Sequence, residues 1–134
     1  MPVSNIIPVL SYPDIATAVD WLMETFGFTL RLRIQNHRAQ MNVGNGSVIL
    51  TNKGWNDNND LWKSTHSIIV RIEDVNAHYK HSAQHNAKII QIPTDQVYGE
   101  RQYTAEDLVG HQWTFSQTLA DIDPEEWGGE LIDN

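Results

Sequence analysis

The chain contains no cysteine, which removes disulfides and thiolate metal ligands from consideration at once. No apolar run approaches the ~20 residues of a membrane span, and the first residues lack the basic and apolar regions of a secretory signal. A cytoplasmic protein without a membrane partner is the expectation. Basic residues are scarce, with 9 Lys and Arg against 17 Asp and Glu for a formal net charge of −8. Nucleic acid needs a basic footprint and is not an expected partner, whereas a cationic ligand is tolerated. No Gly-rich phosphate loop, HExxH or Ser-His-Asp order stands out. What is present is 134 residues, 40% of them hydrophobic, with five Trp. That suits one domain of 134 residues with a modest core rather than a disordered chain.

The order of elements repeats. "IIPVLSYPDIATAVDWLMETFGF" opens with an apolar strand over residues 6–12, broken at Pro13-Asp14, where Asp14 suits a helix N-cap. Ile15, Val19, Leu22 and Phe26 then follow at helical spacing and Gly27 ends the helix. "FTLRLRI", "RAQMNV" and, after the Gly44-Asn45-Gly46 turn, "SVILT" read as strands. The second half runs the same course: "SIIVRI", a cap at Asp74, a helical stripe from Val75 and Tyr79, then "AKIIQI", "RQYTA" and "HQWTFSQ". Asp14-Ile15 and Asp74-Val75 lie 60 residues apart. Two βαβββ units are predicted, repeat one at about 5–51 and repeat two at about 66–117. They are separated by the polar loop 52–65 and followed by a tail over 118–134 with a short helical start at Asp123-Pro124. Within "DLVGHQWTFSQ", Asp107 and Gly110 suit a type I turn and the rest alternates as a half-buried strand.

The duplication, together with "IPVLSYPDIATAVDWLMETFGF" and "YGERQYTAEDLVGHQWTF", resembles the vicinal oxygen chelate superfamily over residues 6–117. This is the group of glyoxalase I, extradiol dioxygenases, fosfomycin-resistance and bleomycin-resistance proteins, and the bleomycin-resistance branch looks most similar. Leu108 stands where that pattern usually has Pro. The resemblance implies an α+β fold in which the two units form an incomplete barrel with an open cleft, helices on the outer face, and a homodimer.

In metal-dependent members four strand positions facing the cleft hold the ion. Aligned on the Asp14 and Asp74 breaks, those positions here are Ile7, Ile49, Ser67 and Thr114. None is an imidazole or carboxylate, so no metal and no cofactor is expected. His66 has the opposite strand parity to Ser67 and should face the helix layer, although a one-residue register slip would turn it inward. His111 shares the parity of Trp113 and Phe115, which read as core. Its neighbours Gln112, Thr114 and Ser116 then line either a cleft without metal or a plain solvent face. His78, His81 and His85 share one side of the second helix and should be largely exposed.

Candidate ligand-binding residues are Trp55 and Trp62 in the polar loop, Ser67, Arg71, Tyr98, Arg101, Tyr103, Gln112 and Thr114. Arg71 stays protonated and suits an anionic group rather than base catalysis. Tyr98, Arg101 and Tyr103 offer flat walls and a cation at the cleft mouth. The plainer reading has Tyr103 in cross-strand packing and Arg101 paired with Glu100 or Glu106. Trp55 and Trp62 either tuck onto the domain or cap a site. Gly99 permits a close backbone approach or a bulge. Trp21 should sit at a helix edge and Trp127 should anchor the tail on a partner.

Three functions stay open. The first is a metal-free small-molecule binder of the bleomycin-resistance type, holding an aromatic or cationic compound in dimer clefts. The second is a lyase, isomerase or dioxygenase with an atypical or absent metal site. The third is an interaction module without a small ligand.

Overall fold

The computed structural model of the chain describes residues 5–56 and 65–132. Strand β1 (Val9–Ser11) leads into helix α1 (Ile15–Phe26), then β2 (Thr29–Ile34), β3 (Arg38–Val43) and β4 (Gly46–Thr51). The second unit repeats this with β5 (Ile68–Arg71), α2 (Val75–Gln84), β6 (Lys88–Asp95), β7 (Glu100–Glu106) and β8 (Gln112–Thr118). A 3-10 turn, Pro124–Trp127, follows, with Asp123 Oδ1 accepting from the Glu125 N–H. The predicted βαβββ duplication is thus the observed one. Among the described residues no helix is long and apolar enough to cross a membrane.

Each unit is a four-stranded mixed sheet, ordered β1-β4-β3-β2 and β5-β8-β7-β6, and the described strands close no barrel. The first strand of each unit runs parallel to its last, with Val9 beside Ile49 and Ile69 beside Thr114. Strand β1 is shorter than residues 6–12 because Pro8 has no N–H to donate, although its carbonyl still accepts from Ile49 at 2.9 Å. Between β3 and β4, Gly44 takes φ 59 at the first central place of a two-residue turn, the position a type II′ hairpin reserves for glycine.

Helix α1 buries Ile15, Val19, Leu22 and Phe26, as their spacing requires. Gly27 ends it in the left-handed region at φ 79, and the N–H groups of Gly27 and Phe28 cover the carbonyls of Met23 and Leu22. Asp14 is the N-cap, as expected, but its side chain makes no capping bond. The Asp14 carboxylate is taken by the Thr17 hydroxyl, and the open Ala16 N–H is met by Asn36 Oδ1 at 3.0 Å. Asp74 does cap α2 with its side chain, accepting from the Ala77 N–H at 3.1 Å.

One core cluster joins the two units. The rings of Phe26 and Phe28 meet Trp113 at 6.1 and 5.1 Å, and Phe26 meets Phe115 at 4.9 Å. Trp113, Tyr103 and Phe115 are fully buried. At ~25 cal/mol per Å² and ~150–250 Å² per ring, each contributes at most about 4–6 kcal/mol of gross hydrophobic stabilisation. Helix α2 crosses the end of α1 and supplies what that end lacks. The last turn of any helix leaves carbonyls without intrahelical donors. Here His78 Nε2 donates to Phe26 O at 2.8 Å, His81 Nε2 to Glu24 O at 2.8 Å and Ser82 Oγ to Thr25 O at 3.2 Å.

The predicted turn at residues 107–110 is present, with the Gly110 N–H bonded to Asp107 O at 3.0 Å. Asp107 is nearly buried. Its Oδ1 accepts from the N–H groups of Val109 and His111, at 3.1 and 3.0 Å, and its Oδ2 from Tyr12 OH and Trp113 Nε1, at 2.5 and 3.1 Å. The carboxylate thereby ties the β7–β8 turn to β1, across the boundary between the repeats.

Candidate ligand cleft

Strand alternation sorts the side chains into two faces. Val48, Leu50, Trp113 and Phe115 belong to the core cluster. Their neighbours Ile49 and Thr114 therefore turn the other way, towards the concave side of each sheet. Register puts Val9 and Gln40 beside Ile49, and Ile69 and Thr104 beside Thr114. On the second sheet the concave face is a hydrogen-bonded stripe. Tyr98 OH donates to Gln102 Oε1 at 3.0 Å, Gln102 Nε2 to Ser116 Oγ at 3.0 Å, and Ser116 Oγ to Glu100 Oε1 at 2.9 Å. Thr104 and Thr114 share a hydroxyl bond of 2.7 Å. On the first sheet Gln40, only 8% exposed, receives Arg31 Nη1 at 2.6 Å. On the polar side of β8, buried Ser116 and half-buried Thr114 are therefore bonded to other polar side chains of their own sheet.

These faces do not suit a metal ion. Ile49 has no donor atom and the Thr114 hydroxyl is already engaged, while first-row metals favour imidazole, carboxylate and thiolate ligands. Among the described residues no three His, Asp or Glu side chains converge. His66 stands beside His111, ring centroids 6.2 Å apart, with its Nδ1 3.1 Å from Thr65 Oγ1. It is exposed beside Trp55 and His111 and is not turned to the helix layer as expected, because β5 begins only at Ile68 and strand alternation does not reach it.

The candidate residues do not all converge. Arg71 and Ser67 lie exposed along β5 and its entry, and Gln112 and Thr114 are half-buried on β8. Tyr98 heads the polar stripe and also meets the Trp127 ring at 5.6 Å, so the tail folds back on its own chain. Arg101 points to the other face of β7 and pairs with Asp95 at 2.6 Å, instead of Glu100 or Glu106. That bond holds the Asp95 carboxyl below its usual range. Tyr103 corrects the expectation of a cleft wall: it is fully buried in the core, its hydroxyl bonded to His78 Nδ1 and Ser82 Oγ. The reason is parity, since Tyr103 pairs with Phe115 and both turn under the sheet. Burial raises its pKa. Trp55 is half-buried beside His66 and His111, whereas Trp62 lies outside the described residues. Trp21 packs edge-on against Phe26, ring centroids 4.9 Å apart.

His78 also departs from the exposed stripe expected of α2. It is half-buried, its ring centroid 4.2 Å from that of Phe115, because its side of α2 faces the end of α1. Burial lowers its pKa. Since Nε2 donates to a carbonyl, Nδ1 is the acceptor for the Tyr103 hydroxyl, which defines a neutral tautomer. His81 and His85 do remain exposed, stacked at 4.2 Å. The sequence reading placed Ser116 on this face but missed Gln40, Gln102 and Glu100. Their parity with Ile49 and Thr114 was the available signal.

Two grooves lie where β1 passes β5. The larger, about 560 Å³, is bounded by Ile6 and Pro8 before β1, by all of β5, and by the β3–β4 hairpin from Val43 to Val48. Among the described residues Arg71 is its one charged lining residue. The smaller, about 280 Å³, is bounded by β1, Gly54 to Asn56, His66 and His111. His111 is nearly buried and donates Nε2–H to Ser11 O at 2.8 Å. Burial lowers its pKa against the opposing influence of Asp107.

The sequence model described as Glyoxalase/Bleomycin resistance protein/Dioxygenase superfamily matches residues 7–115. Among solved structures, TioX from Micromonospora sp. ML1 is 33% identical, with 90% of this chain and 100% of that one covered at a TM-score of 0.71. A glyoxalase/bleomycin resistance protein from Streptomyces sp. CB03234 is 22% identical over 85% of this chain and 100% of its own, TM-score 0.67. One described as a glyoxalase/bleomycin resistance protein/dioxygenase from Alicyclobacillus acidocaldarius shares the fold at 12% identity, covering 90% and 95% with a TM-score of 0.69. No curated protein sequence matches significantly.

Proposed function

Because the chain belongs to the glyoxalase/bleomycin resistance protein/dioxygenase superfamily, we propose that it is a metal-free small-molecule-binding protein of the bleomycin-resistance-like kind. It holds a compound with an apolar body by stacking and hydrogen bonds, without turnover, in a cleft completed by a second copy of the chain. One observation carries this reading. The strand positions that would supply a metal's ligands instead hold a buried Ile49 and a Thr114 hydroxyl already bonded to Thr104. What remains on those faces is the chemistry of non-covalent recognition. Apolar Ile69, 64% exposed, stands beside the polar stripe, and Val9, 55% exposed, stands beside Ile49 on the other sheet. Small-molecule sites combine an apolar lining with a few placed polar groups in this way, and exposed apolar side chains on facing strands also favour a protein partner.

A thermal-shift and calorimetric screen tests the proposal, using chelator-treated protein against Zn, Ni and Mn salts and against a panel of aromatic and glycopeptide compounds. The expected result is a compound bound at one per chain, with no metal raising the melting temperature. A one-to-one metal complex lost on His66→Ala, but retained when His78, His81 and His85 are all replaced, would instead favour a metalloenzyme. Sedimentation at micromolar concentration should give a dimer.

A further inference from the structure

The two grooves are the same place in the two repeats, and comparing them shows what the larger one takes. Register fixes the correspondence. Val9 and Ile69 open equivalent strand pairs with Ile49 and Thr114, and Val43 faces Gly46 across its hairpin as Asp107 faces His111 across the other. His111 therefore stands where the first repeat has Gly46, and Asp107 where it has Val43. Likewise Ser11 corresponds to Arg71, and Tyr12 to Ile72.

In the smaller groove those residues form a plug: the His111 ring bonds to Ser11 O and Tyr12 OH bonds to Asp107. In the larger groove the side chains of the plug, those of His111, Tyr12 and Asp107, have no counterpart, the remaining partner, Ser11 O, being a backbone carbonyl. Gly46 has no side chain, Val43 and Ile72 have no polar side-chain atom, and the residue replacing Ser11 is an arginine. The space doubles from about 280 to about 560 Å³, inside the ~300–1,000 Å³ range of ligand sites. Among the described residues no acidic side chain lines it and no carboxylate pairs with Arg71. Across from Arg71 the hairpin offers the Asn45 amide and the Ser47 hydroxyl, while Ile6, Pro8 and Ile69 supply apolar walls.

We propose that this groove binds an amphipathic organic acid, its acidic group held by Arg71 and its apolar body lying against Ile6, Pro8 and Ile69. The inference rests on the reading that the protein holds a small molecule, and narrows it. The overall charge of −8 tolerates a cation at long range, but a groove whose one charge among the described residues is a guanidinium favours an anion at contact.

Calorimetric titration of the whole chain with three probes sharing one ring system tests this: 2-naphthoate, 2-naphthalenemethanol and 2-naphthylmethylammonium. The acid should bind about tenfold more tightly than the alcohol, the gain expected of one charge-assisted contact in a half-open site, and the ammonium more weakly than either. Arg71→Gln should abolish the difference between acid and alcohol, and Arg71→Lys should keep part of it. Gly46→His should weaken all three probes. A Cβ at Gly46 meets only Val43 O at 3.4 Å, so an unchanged melting temperature is expected there. If acid and alcohol bind alike, or Arg71→Gln changes nothing, the acid preference is overturned while the small-molecule reading stands. Full binding in Gly46→His overturns the location. Failure of every probe on the wild-type chain, together with a blank compound screen, overturns both.

Discussion

Replacing Asp107 tests the most consequential polar contact in the fold. Its carboxylate serves four donors, two of them the side chains of Tyr12, just after β1, and Trp113 on β8, and it is nearly buried. Asp107→Ala leaves Tyr12 OH and Trp113 Nε1–H without an acceptor in the core and removes the two bonds that shape the β7–β8 turn. An unsatisfied buried donor costs about 1–3 kcal/mol, so a loss of roughly 3–5 kcal/mol follows, a large part of the ~5–15 kcal/mol typical of a domain. Asp107→Asn is more discriminating. Its amide oxygen can keep the turn N–H groups, but its NH2 then faces Trp113 Nε1–H, which only donates, whereas Tyr12 OH can reverse and accept. We expect about 1–3 kcal/mol for Asp107→Asn, mostly through Trp113. Tyr12→Phe in the Asp107→Asn background should therefore cost less than in the wild type. Urea unfolding followed by tryptophan fluorescence, with a double-mutant cycle, gives these values. If Asp107→Ala loses less than about 1 kcal/mol, the carboxylate is not the tie between the repeats. Burial and the facing Asp107 also raise the pKa of Tyr12, as burial does that of Tyr103, so ultraviolet titration should show two tyrosines resisting ionisation above the ordinary range, and one fewer in Tyr12→Phe.

Other outcomes follow from the same geometry. Burial lowers the pKa of both His78 and His111, so above their unfolded value of ~6.5 neither protonation state differs and stability is flat. Below it the unfolded chain takes up protons that the native chain resists, and stability should fall by at most ~1.4 kcal/mol per pH unit per histidine until the native sites protonate. Denaturation midpoints between pH 8 and 5 check this, and His78→Gln should flatten the slope. Gly99→Ala should destabilise by at least about 1–3 kcal/mol and release the tail, since a Cβ there would lie 2.1 Å from Ala120 O at φ 90. Faster proteolysis after residue 118 would report it. Tyr103→Phe should cost roughly 1–2 kcal/mol by removing the hydroxyl shared with His78 and Ser82. It should leave ligand affinity unchanged, because the side chain lies beneath the sheet.

Much of the architecture was legible in the sequence because it is written in local periods. The Ile15, Val19, Leu22, Phe26 stripe, the hairpin glycines and the two Asp-initiated helices 60 residues apart depend on backbone preferences that act over a few residues. Strand parity likewise placed His111, Trp113 and Phe115 under the sheet and Ile49 and Thr114 on its other side. The same rule, applied to Tyr103 opposite Phe115, would have removed it from the cleft, but that pairing is a contact between strands and no single strand encodes it. The histidines of α2 show the limit again. Their spacing gave a shared side, yet only the packing of α2 across the end of α1 decided that this side meets open carbonyls rather than water. The grooves are the clearest case. Gly46, Arg71, Ser11 and His111 were all visible as letters, but whether a gap between β1 and β5 is filled or open depends on side chains from distant parts of the chain meeting there. Local pattern set the elements and their faces, and tertiary contact alone set which faces became core, cap or cavity, because burial is a property of neighbours in space.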